Sequence, residues 1–260
     1  MLILIAESKT MLPGEKNIGE QEFVAHTPLC ETLADEIMES LRDLTAGELM
    51  EQTRLSASLA AKMQKMIYEF GYKAAGNMAI EAYTGVVFKA LDYASLSAES
   101  RQRCIGRVRI ISSLYGWLRP DDIVKPYRLD FTTRLEEGPS AGRTMNAFWR
   151  TEVTKCLVKS LQSQNFRSIL NLLPADAAKC IDWKTVKRFA KVWKADFSEM
   201  REGGVLKTPN AGRLKTLRGY LLRQILEENI NDPQGLIRAA SHHYVCEGTP
   251  KYPDHLSFLC

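Results

Sequence analysis

Short apolar runs recur along the chain and predict the strands of a sheet. Leu2–Ala6 opens the chain as an unbroken apolar run, which is typical of a strand buried on both faces. Much further along, Gly203-Gly204 fits the turn of a hairpin. Together these patterns predict strands at Leu2–Ala6, Phe131–Leu135, Ser168–Leu173, Val186–Phe197, Val205–Thr208, Tyr244–Cys246 and Leu256–Phe258.

Apolar residues spaced three and four positions apart predict the helices. The stripe that begins with Leu214 and Leu217 marks Ala211–Ile230 as the clearest of them, and Thr45 with Glu48 has the spacing of a capping box. The helices predicted are Thr27–Leu41, 54–70, Ser97–Leu114, Phe148–Gln162 and Ala211–Ile230, with a short strand or helix start around Gly85.

The order of these elements bounds the fold class. Strands and helices follow one another irregularly, which predicts an α+β fold with an irregular mixed sheet surrounded by helices, and not a doubly wound fold. A loop rich in Gly, Pro and Asn is expected after the first strand, to about Glu20. With 260 residues and no internal repeat, the chain can bury a sizeable core, and we expect a single compact domain over 1–260.

The apolar runs and the cysteines indicate the compartment. The longest apolar runs are too short to span a membrane, and the first residues lack the basic region of a signal peptide. Six cysteines are scattered without a Cys-x-x-Cys pair, so reduced thiols are the default. We expect a cytoplasmic monomer with no membrane contact.

The charge of the chain is unevenly distributed. Residues 1–100 hold eight Lys and Arg against fifteen Asp and Glu, whereas residues 101–260 hold 27 against 16. A positively charged half suggests an anionic partner, although a solvated basic surface would give the same count.

Residues 112–130 form the most unusual segment. They combine three aromatic residues and two prolines with three cations and three carboxylates. Pro120 and Pro126 restrict the backbone on either side of a short apolar step. Such a segment either positions functional groups or is a structural turn closed by Arg–Asp pairs.

Motifs of several enzyme classes are missing from the chain. It contains no phosphate-binding glycine loop, no Gly-x-Ser-x-Gly and no His-Glu-x-x-His. The sequence therefore favours a protein without enzymatic activity and predicts no cofactor. The alternative is an enzyme acting on a nucleotide or another phosphate-bearing substrate, in which Asp122 or Asp130 would transfer protons.

A group of histidines and cysteines near the C-terminus raises a third alternative, a metal-binding protein. His243 and Cys246 have the spacing of ligands for zinc or iron. Tyr244 and Val245 are typical of a strand, which would place His243 and Cys246 on opposite faces. We therefore expect no metal here.

Several motifs follow one another in an order that resembles a known family. The central one is Leu114-Tyr115-Gly116, Leu118-Arg119-Pro120, Asp122 and Pro126-Tyr127-Arg128-Leu129-Asp130. The flanking ones are Lys9-Thr10, Tyr83-Thr84-Gly85 with Phe88, Phe148-Trp149, Asn171-Leu172 with Lys179, and Lys215 with Arg218-Gly219 and Arg223. Over essentially the whole chain, this set resembles the YaaA family of bacterial peroxide stress resistance proteins.

The resemblance implies a function. Members of the family protect against peroxide stress by limiting free intracellular iron, and the family is linked to DNA binding through a positively charged cleft and a helix-hairpin-helix-like element. In this chain Tyr115-Gly116-Trp117 is the candidate for the turn of that element. The sequence thus predicts sequence-independent binding of double-stranded DNA, with a phosphorylated small molecule as the alternative partner.

The resemblance also proposes the residues that would bind phosphate. Arg binds a phosphate bidentately and Lys binds it as a point charge, and paired Arg–Asp scaffolding is the structural alternative. The predicted set is Lys9, Arg119, Lys125, Arg128, Lys179, Lys215, Arg218 and Arg223.

The chain departs from the family pattern at several motif positions. Four of them carry Val86, Pro174, Ala177 and Thr216 where the pattern has polar, aromatic or basic residues. Any chemistry that those groups perform in relatives is therefore altered here.

Overall fold

The first strand of the chain lies in the middle of a mixed sheet. The computed structural model describes residues 1–14, 26–71, 75–239, 241–249 and 252–260. The strands of this part of the chain are β1 (Leu2–Ala6), β2 (Asn77–Met78), β3 (Val108–Ser112), β4 (Gly116–Leu118), β5 (Ile123–Val124), β6 (Ser168–Asn171), β7 (Lys191–Met200), β8 (Leu206–Lys207), β9 (Val245–Gly248) and β10 (His255–Leu259).

Five neighbouring strands of the sheet run parallel. The order is β4-β3-β1-β6-β7-β10-β9, with β8 paired to β7 and a separate β2–β5 pair. β1 is parallel to both β3 and β6, β6 to β7, and β7 to β10, whereas β4 and β9 add antiparallel edges. Strands of a parallel sheet that is covered on both faces are rich in apolar residues, and the central strand β1 is an unbroken apolar run.

Helices surround this sheet, so the predicted mixed sheet with surrounding helices is confirmed. Every helix within the described residues is too short or too polar to span a lipid bilayer. The helices are α1 (Glu31–Ser40), α2 (Ala46–Thr53), α3 (Ala57–Phe70), α4 (Ala79–Ala82), α5 (Val86–Leu91), α6 (Ala98–Arg107), α7 (Met145–Ser163), α8 (Ala175–Ala178), α9 (Trp183–Val186) and α10 (Ala211–Glu227).

Elements with strong local signals are confirmed by the structure. The strand Leu2–Ala6 has the predicted bounds. The capping box opens α2, where the Thr45 backbone N–H donates to Oε2 of Glu48 (2.8 Å) and the Glu48 N–H donates to Oγ1 of Thr45 (3.3 Å). Of the predicted loop after β1, residues 15–20 lie outside the described residues.

The prediction of one helix over Ser97–Leu114 was wrong in its second half. The helix α6 ends at Arg107, and β3 follows at once. The β-branched residues of β3 fit the spacing of a helix face as well as a strand. Pairing with β1 in the fully buried middle of the sheet decides in favour of the strand.

Two further predictions near this segment were wrong. Tyr115-Gly116-Trp117 does not form the turn of a helix-hairpin-helix, because it belongs to a β-hairpin in which Ser112 pairs with Gly116. Phe131–Leu135 is not a strand, because a turn that begins at Asp130 replaces it. In both places contacts with distant elements outweigh the local pattern.

The hairpin turn between β3 and β4 requires glycine for two reasons. Gly116 has a φ of +67°, and a Cβ there would lie 2.4 Å from the ring of Trp149. Trp149 is fully buried, and its indole N–H donates to the Ser113 carbonyl oxygen (2.8 Å). This close approach locks α7 against the end of β3.

The connection between β4 and β5 holds two buried carboxylates. Arg119 donates to Asp121 through Nε (2.9 Å) and Nη2 (2.8 Å), and its backbone N–H donates to Oδ2 of Asp122 (2.8 Å). The Asp122 carbonyl accepts from the Ala79 N–H at the start of α4 (2.8 Å). Burial raises the pKa of Asp122 to about 7, and the hydrogen bond from Arg119 offsets this only in part.

Replacing Gly116 by Ala should destabilise the protein by about 2–4 kcal/mol, because the new methyl group needs both a strained φ and the space of Trp149. The measurement is the free energy of unfolding in urea. Gly142→Ala is the control, since Gly142 has a φ of +68° and open space around it. We expect Gly142→Ala to lower the free energy of unfolding by only about 1 kcal/mol. Equal losses in the two variants would contradict the claim that Trp149 requires glycine at position 116.

Replacing Asp122 by Asn should remove part of the pH dependence of stability. Its pKa is about 7 in the folded protein and 3.8 ordinarily, so between these values the folded state holds a proton that the unfolded state lacks. Stability therefore falls as the pH rises through this window, by about 2–3 kcal/mol between pH 5 and pH 8. The measurement is the free energy of unfolding in urea at pH 5 and pH 8, and the control is Glu137→Gln at an exposed position. The prediction fails if Asp122→Asn shows the same difference between the two pH values as the original chain.

Candidate functional site

A cavity of about 340 Å³ opens where β1 and β6 end. In the sheet, β1 lies between β3 and β6, so the chain adds one later strand on each side of β1. In open parallel sheets, such a switch point is where ligands bind. We call this space the β1 cavity, and its walls come from Ile5–Thr10, Gly85–Phe88, Leu172 and Pro174, together with one face of α10.

Charged residues of both signs line the β1 cavity. Lys9 Nζ lies 2.6 Å from Oδ1 of Asp130. Burial lowers the pKa of the Arg218 guanidinium, and the nearby Asp176 offsets this in part. The structure thus brings four of the predicted site residues together: Lys9, Asp130, Lys215 and Arg218.

Three other cations that were predicted to bind phosphate donate hydrogen bonds to groups of the protein. Arg128 Nη1 donates to the carbonyl oxygen of Lys9 (2.8 Å), which holds the backbone of this residue of the cavity wall. Arg223 Nη1 donates to the Leu91 carbonyl (3.0 Å) at the end of α5. Arg119 holds the carboxylate of the β4–β5 connection. The Arg119 contact with Asp121 is a pair of the Arg–Asp kind.

The remaining predicted site residues lie away from the β1 cavity. Lys125 Nζ lies 4.8 Å from the centre of the Phe70 ring, and Lys179 is exposed directly after α8. Asp122 is buried within the β4–β5 connection. Their assignment to a phosphate or catalytic site stays a prediction.

Two glycines allow the walls of the cavity to come close together. The Gly85 N–H donates to Oγ of Ser8 (3.0 Å), and a Cβ on Gly85 would lie 2.4 Å from the Ser8 side chain. A Cβ on Gly219 would lie 2.4 Å from the Val87 carbonyl oxygen. Because both positions are glycine, α5 packs tightly against α10 and against the segment that follows β1, and the cations of α10 reach the cavity.

The structure adds one residue that sequence reasoning missed. Glu7 directly follows β1, where its backbone N–H donates to the Ile111 carbonyl (2.9 Å), and its side chain lines the cavity. The Ser113 N–H (2.9 Å) and the Tyr127 hydroxyl both donate to Oε2 of Glu7. Burial raises the pKa of Glu7 to about 7. A carboxylate directly after the first buried strand was the signal that could have found it.

The C-terminal histidine and cysteine pair is engaged in other contacts. The His243 ring stacks on Tyr220 with 3.7 Å between ring centres. Cys246 lies on β9 opposite Phe258 of β10. Among the residues that the structure describes, no group of three or more His, Cys, Asp or Glu could hold a metal ion.

Two of the four departures from the family pattern fall on the wall of the cavity. Val86 and Pro174 both line it, so the wall is apolar at these points. Ala177 is fully buried beside it, and the Thr216 hydroxyl donates to the Gly212 carbonyl within α10 (3.3 Å). The departures therefore change the chemistry of the wall more than the fold.

Comparison with known proteins agrees with these motifs. The family model of peroxide stress protein YaaA matches residues 1–249. A UPF0246 protein of Desulforapulum autotrophicum is 33% identical, over 92% of this chain and 91% of its own length. A UPF0246 protein of Parabacteroides distasonis is 31% identical, over 91% of this chain and 90% of its own length. With a family match over nearly the whole chain and similarity of this extent, the chain belongs to the peroxide stress protein YaaA family.

Proposed function

We propose that this chain acts in the response to peroxide stress, as the name of its family indicates, by binding a phosphate-bearing ligand of nucleotide size in the β1 cavity. The observation that carries the proposal is the convergence of Lys9, Lys215 and Arg218 on one cavity at the ends of two parallel strands. Lys and Arg side chains are the usual protein ligands of phosphate.

The size and lining of the cavity support a small ligand. Ligand pockets have volumes upwards of about 300 Å³ and combine apolar walls with a few convergent polar groups. Here Val86, Phe88 and Phe131 supply apolar surface in the same cavity as the cations. A ring system would contact the apolar side while the phosphate faces α10.

Replacing Lys215 and Arg218 together by Ala should weaken binding of fluorescently labelled adenosine monophosphate about tenfold or more, because each charge-assisted hydrogen bond contributes about 1.5–3 kcal/mol. Fluorescence anisotropy measures the affinity. The control is Lys125→Ala/Lys207→Ala, which removes the same charge outside the cavity and should bind nearly as well as the original chain. Equal losses in both double variants, or no binding by the original chain, would reject the proposal.

Double-stranded DNA is the second candidate ligand. It is supported by the excess of 27 Lys and Arg over 16 Asp and Glu in residues 101–260, and by the exposure of Lys9, Lys179 and Lys215. DNA binding of this kind is driven by phosphate contacts and is insensitive to sequence. As the cellular consequence we propose that free iron is limited, with the chain acting as a cytoplasmic monomer.

If duplex DNA binds across the mouth of the cavity, Lys9→Ala/Lys215→Ala should flatten the salt dependence of binding. The plot of log affinity against log salt concentration should lose about 0.9 in slope for each phosphate contact removed. Anisotropy of a labelled duplex across a salt series measures this. The same loss of slope in Lys125→Ala/Lys207→Ala would place the DNA elsewhere on the surface, and a flat salt response in the original chain would exclude DNA.

A further inference from the structure

One carboxyl group of the β1 cavity has surroundings unlike those of the others. Asp130 is paired with Lys9, whereas within the described residues no ion pair reaches Glu7. Glu7 instead accepts two hydrogen bonds, from the Ser113 N–H (2.9 Å) and the Tyr127 hydroxyl. Both are made to Oε2, which leaves Oε1 for a ligand in the cavity.

A chain of buried hydroxyl groups ends at this carboxyl. Ser112 Oγ already accepts from two backbone N–H groups, at 3.1 and 2.9 Å, so its own proton is directed to the Tyr127 hydroxyl 2.7 Å away. The Tyr83 hydroxyl lies 2.7 Å from the Tyr127 hydroxyl oxygen. With both acceptor positions of Tyr127 occupied, its proton is directed to Glu7. This series of hydroxyl groups therefore orients the carboxyl group of Glu7.

Burial also brings Glu7 into the range of a useful acid or base. It raises the pKa of Glu7 to about 7, and the hydrogen bonds from Ser113 and Tyr127 counteract this only in part. A group whose pKa lies near the working pH can both accept and return a proton. The titratable and charged groups that share its surroundings are Tyr83 and Tyr127, Lys9 and Asp130, Asp176 and Cys180, and Lys215 and Arg218.

We propose that the β1 cavity is a site of proton transfer, in which Glu7 accepts a proton from a hydroxyl or N–H group of the small phosphate-bearing ligand. This inference rests on the proposed function, because it places the ligand in the same cavity. Glu7 touches the ligand through Oε1 and is the catalytic residue. Tyr127 is a positioning residue that holds Oε2.

The transfer needs no further reactant. The O–H or N–H bond of the ligand breaks, its electron pair stays on the ligand, and a bond between Oε1 and hydrogen forms. Glu7 becomes neutral, while Lys9, Lys215 and Arg218 stabilise the negative charge left on the ligand. The reverse step returns the proton from Oε1.

The first experiment uses the ligand-free chain. Carbon-13 NMR of labelled glutamate carboxyl groups follows each group against pH, and Glu7→Gln identifies the Glu7 signal. We expect a midpoint near 7 for Glu7, against the ordinary 4.5. A midpoint below about 5.5 would overturn the inference, since such a carboxylate is too weak a base at neutral pH. This result does not depend on any ligand.

The second experiment adds adenosine monophosphate as the probe. We expect the Glu7 midpoint to shift in the complex, because the ligand contacts Oε1. A probe that binds without moving the Glu7 midpoint would overturn the inference and leave the proposed function intact. Failure of the probe to bind would reject both.

A third variant tests the positioning role. Tyr127→Phe removes a hydrogen bond to the carboxylate, so the Glu7 midpoint should rise by about one pH unit. Tyr83→Phe is the matched control, since its hydroxyl reaches Glu7 only through Tyr127, and its effect should be smaller. Equal shifts in the two variants would contradict the assignment of Tyr127.

Discussion

β1 lies between β3 and β6 with Leu2–Ile5 almost completely buried, so its backbone hydrogen-bonding groups must be satisfied by these two neighbours. Since both pairings are parallel, the three strands end at the same edge of the sheet. Glu7, Ser113 and Leu172 follow these ends directly. The arrangement of the sheet thus determines which side chains meet in the β1 cavity.

Close packing makes this edge a cavity with definite walls. Gly85 lets α5 approach the segment after β1, and Gly219 lets α10 approach α5. A side chain at either position would push apart elements that now meet backbone to side chain. The cations of α10 therefore reach a space that starts at β1, although more than two hundred residues separate the two in the sequence.

The mixture of positive and negative charge distinguishes this cavity from a uniformly basic surface. Three cations face three carboxyl groups around it, and other cations predicted for phosphate binding are used inside the fold. Arg119 satisfies a buried carboxylate, and Arg223 bonds to the end of α5. A site of mixed charge suits a ligand with both a phosphate and a group that donates hydrogen bonds, whereas a polyanion prefers uninterrupted positive charge.

The first strand, the capping box of α2, most of the long helices and membership of the family could be predicted from the sequence, because these depend on local periodicity and on motifs that can be read in order. It also identified Lys9, Lys215 and Arg218 as candidates. It could not show that residues 108–112 leave the helix to form β3, because pairing with β1 decides that. The place of Glu7 directly after the first strand could have suggested it, but its hydrogen bonds depend on the folded chain. Ser113, which donates to it, lies 106 positions away, and contacts over such distances leave no local pattern.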